Sequence, residues 1–303
     1  MRYPEKLKQG DTVGIICPSS PISGERRAQC IDAVEKLGYK VKAADNLTEN
    51  YGGYMAGSGR VRAEWINKMF ADSEIKAIFC IRGGDGSSRM MEYLNFDVIK
   101  NNPKIFVGYS DVTNLHLAIT QNCDLVTFHG PMVSSNMVDS FDTETRNAFF
   151  NAINSRENFE FRNPEGVELK TLKEGKAEGI LTGGNLSLLS ASIGTPYEVE
   201  TEGRILFMEE VCESITKIEK WIYHLRNAGK LKQCSGILLG QFTKIKNDSE
   251  DYDYTCCIKD ALEGLNIPVM YDIQSGHGQK IMTLPMGAVC KMDTAAGTIK
   301  FEG

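Results

Sequence analysis

Histidine is scarce, at four residues in 303, and tryptophan scarcer still at two. No apolar run approaches the ~20 residues that a bilayer-spanning helix needs. The opening Met1-Arg-Tyr-Pro-Glu-Lys6 lacks the apolar core of a secretory leader, so the expected location is the cytoplasm and no membrane partner is expected. Clustered Lys and Arg are also missing: the net charge is -6, and the basic group Lys230-Leu-Lys232 is trivial, which argues against nucleic acid as a partner. The nine cysteines contain no C-x-x-C pair, so neither a disulfide framework nor a zinc knuckle is indicated. Most are expected to be buried small hydrophobes. With neither common phosphate-loop motif and no clustered metal ligands, no cofactor or metal is expected, and the remaining partner class is a small molecule.

What is present is a soluble globular composition, 42% hydrophobic and 24% charged, on a chain long enough for two domains. Thr12 to Cys17 reads as a buried strand ending in the loop Pro18-Ser-Ser-Pro21. A helix over Glu25 to Leu37 stops at Gly38 and leads into a strand at Tyr39 to Ala43, which makes one β-α-β unit. Arg60 to Phe70 predicts a helix, Lys76 to Ile81 a strand, Ser87 to Leu94 a helix and Lys104 to Tyr109 a strand. From about Asn151 the periodicity fades through Asn154-Ser-Arg-Glu-Asn158 and Arg162-Asn-Pro-Glu-Gly166. Alternation resumes with strands at Ala177 to Leu181, Arg204 to Met208, Gly236 to Gly240 and Pro268 to Asp272. Helices are expected from Leu186, over Ile215 to Ala228 and near Tyr254 to Leu265, before a terminal hairpin of Ala288 to Met292 and Thr298 to Phe301. The expectation is an α/β chain of two domains, residues 1–152 and 176–303, joined by a linker at 153–175.

The stretch Lys104-Ile-Phe-Val-Gly-Tyr-Ser110-Asp111 centres the first half. A β-branched run stops at Gly108-Tyr-Ser110 and a helical pattern begins at once, the strand-to-helix corner that lifts a serine out of the carboxyl edge of a sheet. Val112 stands where the G-x-S-x-G signature has its second glycine, so the motif is half present, and an ordinary N-cap is the competing reading. Arg82-Gly83-Gly84-Asp85-Gly86 also follows a strand. It suits the neighbouring loop of the same edge, where the N–H groups of Gly84 and Asp111 would form an oxyanion hole. Of the four histidines, His116 falls within the helix after Ser110, His224 within an amphipathic helix, and His129 in Phe128-His-Gly-Pro131 suits a supporting role. His277, in Ser275-Gly-His-Gly278, is carried by a loop after a strand and is the candidate general base. A base of this kind wants an acid to hold its tautomer, and Glu209 and Glu210, at the end of Ile205-Leu-Phe-Met208, both qualify.

These segments together with Thr127-Phe-His-Gly-Pro-Met132, Gly183-Gly-Asn-Leu186, Leu206-Phe-Met-Glu209-Glu-Val211 and Thr283-Leu-Pro-Met-Gly287 resemble, in order and over nearly the whole chain, the LD-carboxypeptidase family of serine peptidases. The resemblance implies an N-terminal domain with a class I glutamine amidotransferase-like parallel sheet, a C-terminal swivelling β/α domain, and a triad assembled across the boundary. In this sequence Ser110 would be the nucleophile, His277 the base and Glu209 its acid, with Gly84 and Asp111 as the oxyanion donors. Arg82, Gly83 and Asn185 are the candidate substrate-binding residues, Arg82 as partner of a substrate carboxylate. Glu210, where the family usually has Asp, is a conservative departure; Asp85, where many members carry an uncharged or aromatic residue, bears on the pocket. The implied activity is removal of the terminal D-alanine of murein tetrapeptides in cell-wall recycling, by a cofactor-free homodimer. The alternatives are a microcin C-type peptide-nucleotide immunity peptidase and, from another class, a non-catalytic binder of peptidoglycan fragments.

Overall fold

The structure is a computed structural model that describes residues 1–155, 159–247, 249 and 251–302. It divides into two compact units, Met1–Ser155 and Arg156–Gly303.

The first unit is built on parallel strands β1 (Thr12–Ile16), β2 (Lys40–Ala43), β3 (Ile75–Cys80), β4 (Ile105–Gly108) and β5 (Thr127–His129). Within the unit they lie in the order β5-β4-β3-β1-β2, and every pairing is parallel. Strands covered on both faces need near-continuous apolar runs, and Ala77 to Cys80 and Ile105 to Val107 are fully buried. Helices α1 (Gly24–Glu35), α2 (Gly59–Ala71), α3 (Phe96–Asn101), α4 (Thr113–Cys123) and α5 (Thr143–Asn154) connect or follow the strands. Side chains cap the starts of α1 and α2: Ser23 accepts from Arg26 N–H and Ser58 from Val61 N–H. The helix expected at Ser87 to Leu94 is a 3-10 turn over Ser87–Tyr93, which begins after Gly86 in the left-handed region. Helix α5 is not among the expected elements, although Asp142 accepts from the Glu144 and Thr145 N–H groups as an N-cap.

The second unit carries β6 (Phe159–Phe161), β7 (Lys170–Lys173), β8 (Lys176–Asn185), β9 (Ile205–Val211), β10 (Gly236–Thr243), β11 (Val269–Tyr271), β12 (Leu284–Met286), β13 (Val289–Asp293) and β14 (Thr298–Glu302). Eight of these form one mixed sheet, β6-β14-β13-β8-β9-β10-β11-β7. Its centre, β8-β9-β10-β11, is parallel, and helices α6 (Leu186–Ser192), α7 (Ile215–Asn227), α8 (Lys230–Gln233) and α9 (Tyr254–Ala261) belong to that part. The terminal hairpin forms as expected, β13 against β14. The stretch read as a linker is a partial correction. Residues 156–158 lie outside the described residues, but Phe159–Phe161 and Lys170–Lys173 are antiparallel edge strands, on β14 and β11. Three- and four-residue edge strands of mixed polarity are too short to print a period of two.

Seven of the nine cysteines are buried, in line with their use as small hydrophobes. Among the described residues no helix is long and apolar enough to cross a membrane.

Candidate active site

Ser110 opens the 3-10 turn Ser110–Val112 that leads from β4 into α4, with φ 65°, a left-handed conformation that is uncommon for a non-glycine residue. The surroundings of this corner explain the half-present signature. A Cβ on Gly108 would stand 2.9 Å from Val112 Cγ1 and 3.1 Å from Cys80 Cβ, so the valine in place of a second glycine is accommodated by the missing side chain at Gly108. His116 fastens the corner from behind: its Nε2 lies 2.8 Å from the Gly108 carbonyl and its Nδ1 2.8 Å from Thr127 Oγ1. Burial drives its pKa down to about 4, so the ring is neutral, donating to the carbonyl through Nε2 and accepting the threonine hydroxyl at Nδ1. Both nitrogens are committed, and this histidine is structural. His129 is fully buried, as suits a supporting residue.

The loop after β3 lies against the corner. A Cβ on Gly83 would come within 2.8 Å of both Cβ and Oγ of Ser110 and 3.6 Å of the Asp111 nitrogen. Gly83→Ala is therefore expected to push the serine off position and lower turnover by about 10²-fold, the scale of a 1 Å misplacement, with KM changed much less. Steady-state kinetics checks it, and near-wild-type turnover would contradict the close approach. Gly84, at φ 127°, packs against Ser20 in the loop after β1. Arg82 is exposed; among the described residues it makes no ion pair, only a long contact from Nη1 to the Pro21 carbonyl at 3.4 Å. Asp85 is exposed as well. Asp111 does more than the sequence suggested. Its buried carboxylate accepts from Ser19 Oγ at 2.6 Å and Ser87 N–H at 2.9 Å, and its carbonyl accepts from Ser87 Oγ at 2.7 Å. Burial raises its pKa despite these bonds.

In the second unit the choice between the two glutamates is geometric. Side chains alternate along β9, so Glu209 and Glu210 point to opposite sides. Glu209 is fully buried and its Oε2 lies 2.6 Å from His277 Nδ1. Its Oε1 has no hydrogen-bond partner among the described residues, so the carboxylate's bonding is directed at the imidazole. Burial favours the neutral ring, but the charge and hydrogen bond of Glu209 prevail and hold the His277 pKa above its ordinary value. Glu210 is turned to the start of α6, where it accepts from Asn185 Nδ2 at 2.9 Å and Ser187 N–H at 2.8 Å, and it also accepts from Val211 N–H of its own strand at 2.9 Å. Burial raises its pKa. The Asn185 amide is thus tied inside the unit, through Glu210 at one end and the Ser187 hydroxyl at the other.

Both glycines beside His277 have a steric reason. A Cβ on Gly276, at φ 133°, would stand 2.9 Å from Glu209 Oε2, and one on Gly278 would run into the Gln241 side chain. Gln241, at the carboxyl end of β10, accepts from Gly278 N–H at 2.7 Å and donates to the Lys280 carbonyl at 3.1 Å, while Thr243 Oγ1 donates to the His277 carbonyl at 3.2 Å. The loop is therefore held from β10 and the ring from β9. A cleft of about 460 Å³ borders the same loop, lined among others by Thr243, Gln274 and Gly278 and by the stacked rings of Phe242 and Tyr254. His224 is apart from all this, bonded to Ser190 Oγ at 2.8 Å.

The structure thus groups Ser110, Gly83, Gly84 and Asp111 in one unit, and Glu209, His277 and the Asn185–Glu210 pair in the other. Sequence reasoning missed Ser19, Ser20, Ser87 and Gln241. The signal available for the first three was topological, since β1, β3 and β4 are neighbours and their carboxyl-end loops must converge.

Known proteins fit this arrangement. Residues 13–130 match the family model of the LD-carboxypeptidase N-terminal domain, and residues 178–292 that of the LD-carboxypeptidase C-terminal domain. A "Probable murein peptide carboxypeptidase" of Bacillus subtilis (strain 168) is 37% identical over 304 residues, covering 99% of this chain and 94% of that protein. The structure of a muramoyltetrapeptide carboxypeptidase from Oxalobacter formigenes superimposes with a TM-score of 0.84 at 26% identity, over 96% of this chain and 97% of the other. The microcin C7 self-immunity protein MccF of Escherichia coli is 28% identical, over 95% of this chain and 92% of its own. A wild-type apo structure of MccF superimposes with a TM-score of 0.92 at 25% identity, over 100% of this chain and 99% of that one. The chain, a two-domain α/β carboxypeptidase, belongs to the LD-carboxypeptidase family.

Proposed function

We propose that the chain is a serine-type carboxypeptidase that hydrolyses the L,D-peptide bond before the terminal D-alanine of murein tetrapeptides. The observation that carries the chemistry is the buried Glu209–His277 hydrogen bond of 2.6 Å, because a carboxylate on Nδ1 fixes the tautomer that puts the ring's unprotonated nitrogen, the proton acceptor, at Nε2. The substrate is supported by the relatives from Bacillus subtilis and Oxalobacter formigenes, whose names specify murein peptide and muramoyltetrapeptide.

In this reading Ser110 and His277 come within hydrogen-bond reach. His277 Nε2 takes the Ser110 proton as Oγ attacks the carbonyl of the third residue, and the N–H groups of Gly84 and Asp111 receive the developing oxyanion. The C–N bond breaks, the departing D-alanine amine takes the proton from His277, and an acyl-enzyme remains. Water, deprotonated by the same ring, releases the tripeptide. A general base supplies about 10²- to 10⁴-fold and an oxyanion donor about 10²- to 10³-fold. Arg82, exposed beside Gly83, is the candidate grip for the terminal carboxylate. Cell-wall recycling in the cytoplasm and a homodimeric state belong to the same reading and rest on the family resemblance.

Three digests followed by mass spectrometry test it. A tetrapeptide ending in D-alanine should be cut, its L-alanine epimer should not, and amidation of the terminal carboxylate should remove most of the rate. Equal cleavage of the two epimers would refute the assignment, and full activity on the amide would remove the carboxylate grip. The similarity to MccF supports a second reading, a microcin C-type peptide-nucleotide as substrate, and turnover of such a conjugate in preference to the tetrapeptide would favour it.

A further inference from the structure

The oxyanion hole needs two N–H groups aimed at one point, and they come from different loops: Asp111 follows β4, whereas Gly84 lies in the loop after β3. Something must set the second donor relative to the first, since glycine-rich backbone has many alternatives to a single orientation. The bonds around Asp111 supply it. Its carboxylate is nearly fully buried, and one oxygen, Oδ2, accepts from Ser19 Oγ at 2.6 Å and from Ser87 N–H at 2.9 Å. Ser87 closes the Arg82–Gly86 loop, so that bond fixes the loop's far end. It is doubled by Ser87 Oγ donating to the Asp111 carbonyl at 2.7 Å, and Asn114 Nδ2 donates to the same hydroxyl at 2.9 Å.

Ser19 reaches the middle of the loop through its neighbour. Ser20 N–H donates to the Gly83 carbonyl at 3.4 Å, and the Ser20 side chain fills the space where Gly84 would carry a Cβ. A trans peptide group is planar, with its C=O and the following N–H on opposite edges. Holding the Gly83 carbonyl toward Ser20 therefore turns the Gly84 N–H the other way, out of the Ser20 side of the loop. Arg62, buried and acted on by the Asp111 charge, bonds the Pro18 and Gly57 carbonyls and so holds the residue before Ser19.

We infer that the Asp111 side chain is a positioning group: the residue gives the oxyanion hole one donor from its own backbone and, through Ser19 and Ser20, sets the direction of the other, the Gly84 N–H. The inference rests on the proposal that Ser110 is the nucleophile. It predicts an effect on the transition state with little effect on substrate binding, whereas a carboxylate that merely staples the fold would alter the amount of folded protein and leave the kinetics of the folded fraction unchanged.

The test uses Ser19→Ala, which deletes one hydroxyl and leaves both Asp111–Ser87 bonds in place, together with Asp111→Asn. Each is assayed on the full chain with the tetrapeptide and with a peptide boronic acid ending at the third residue, whose reversible serine adduct places an oxygen in the oxyanion position. Folded fraction is measured by circular dichroism. For Ser19→Ala the expected result is a 10- to 100-fold loss of kcat per folded molecule, below the 10²- to 10³-fold cost of removing an oxyanion donor outright, with KM within about twofold. Affinity for the boronic acid should fall by the same factor as kcat/KM. Wild-type kcat per folded molecule in Ser19→Ala, or a fall in kcat with unchanged boronic acid affinity, would overturn the inference while leaving the serine mechanism intact. Should Asp111→Asn fail to fold, Ser19→Ala decides alone. Full turnover in Ser110→Ala would remove the parent reading and this one together.

Discussion

Replacing Ser110 by alanine is expected to lower kcat by about 10⁴- to 10⁶-fold while leaving substrate affinity within a few-fold, because the proposed nucleophile is lost and the binding groups stay. The substitution also relieves nothing that the fold needs. The φ of 65° is a property of the backbone in the turn between β4 and α4, and alanine has no side-chain hydroxyl to place there. A calorimetric titration with tetrapeptide beside a turnover assay separates the two quantities. Turnover within tenfold of wild type would end the role of Ser110, whatever the affinity.

Glu209→Gln is the second large effect, an expected loss of about 10³- to 10⁴-fold in kcat, the scale seen when an amide replaces a triad carboxylate and selects the wrong tautomer. Its pH signature is specific. The neutral ring is the active form, and the wild-type pKa of His277 lies above the ordinary ~6.5, so the rate should fall as pH drops through a value above that. Without the Glu209 charge, the largest influence opposing burial is gone and the pKa falls, the more distant Glu210 charge being the smaller one. The acid limb of kcat/KM should therefore move to lower pH as the plateau drops. Glu210→Gln should do neither to a comparable extent, since that side chain binds Asn185 and the first turn of α6; its cost should appear mainly as a lower melting temperature. Equal kinetic losses in the two variants would reassign the acid.

The contrast between these two neighbours shows where the sequence was legible. Position on β9 put both carboxylates at a strand's carboxyl end, and His277 between glycines marked a loop built for close approach. The pairing depended on which face of β9 meets that loop, a tertiary fact that a strand's period of two leaves open. Ser110 was visible because a buried strand gives way directly to a helix. The side-chain work of Asp111 was not, because its partners Ser19 and Ser87 lie 92 and 24 residues away in sequence and become neighbours only through the order β4-β3-β1. The long, strongly periodic elements were read correctly for a related reason: helices such as Ile215–Asn227 carry an apolar stripe of their own. Edge strands Phe159–Phe161 and Lys170–Lys173 are defined by what they pair with, and their own residues say little.

The central claim is that Ser110, His277 and Glu209 act as one triad, and covalent labelling tests it most directly. A peptide phosphonate that reacts only with a base-activated serine should add to wild-type protein once, at Ser110, as located by mass spectrometry of the digested adduct. Labelling should be slowed by orders of magnitude in His277→Ala and Glu209→Gln and abolished in Ser110→Ala. Labelling of Ser110 at the wild-type rate without His277, or inactivation with the adduct on another residue, would contradict the triad.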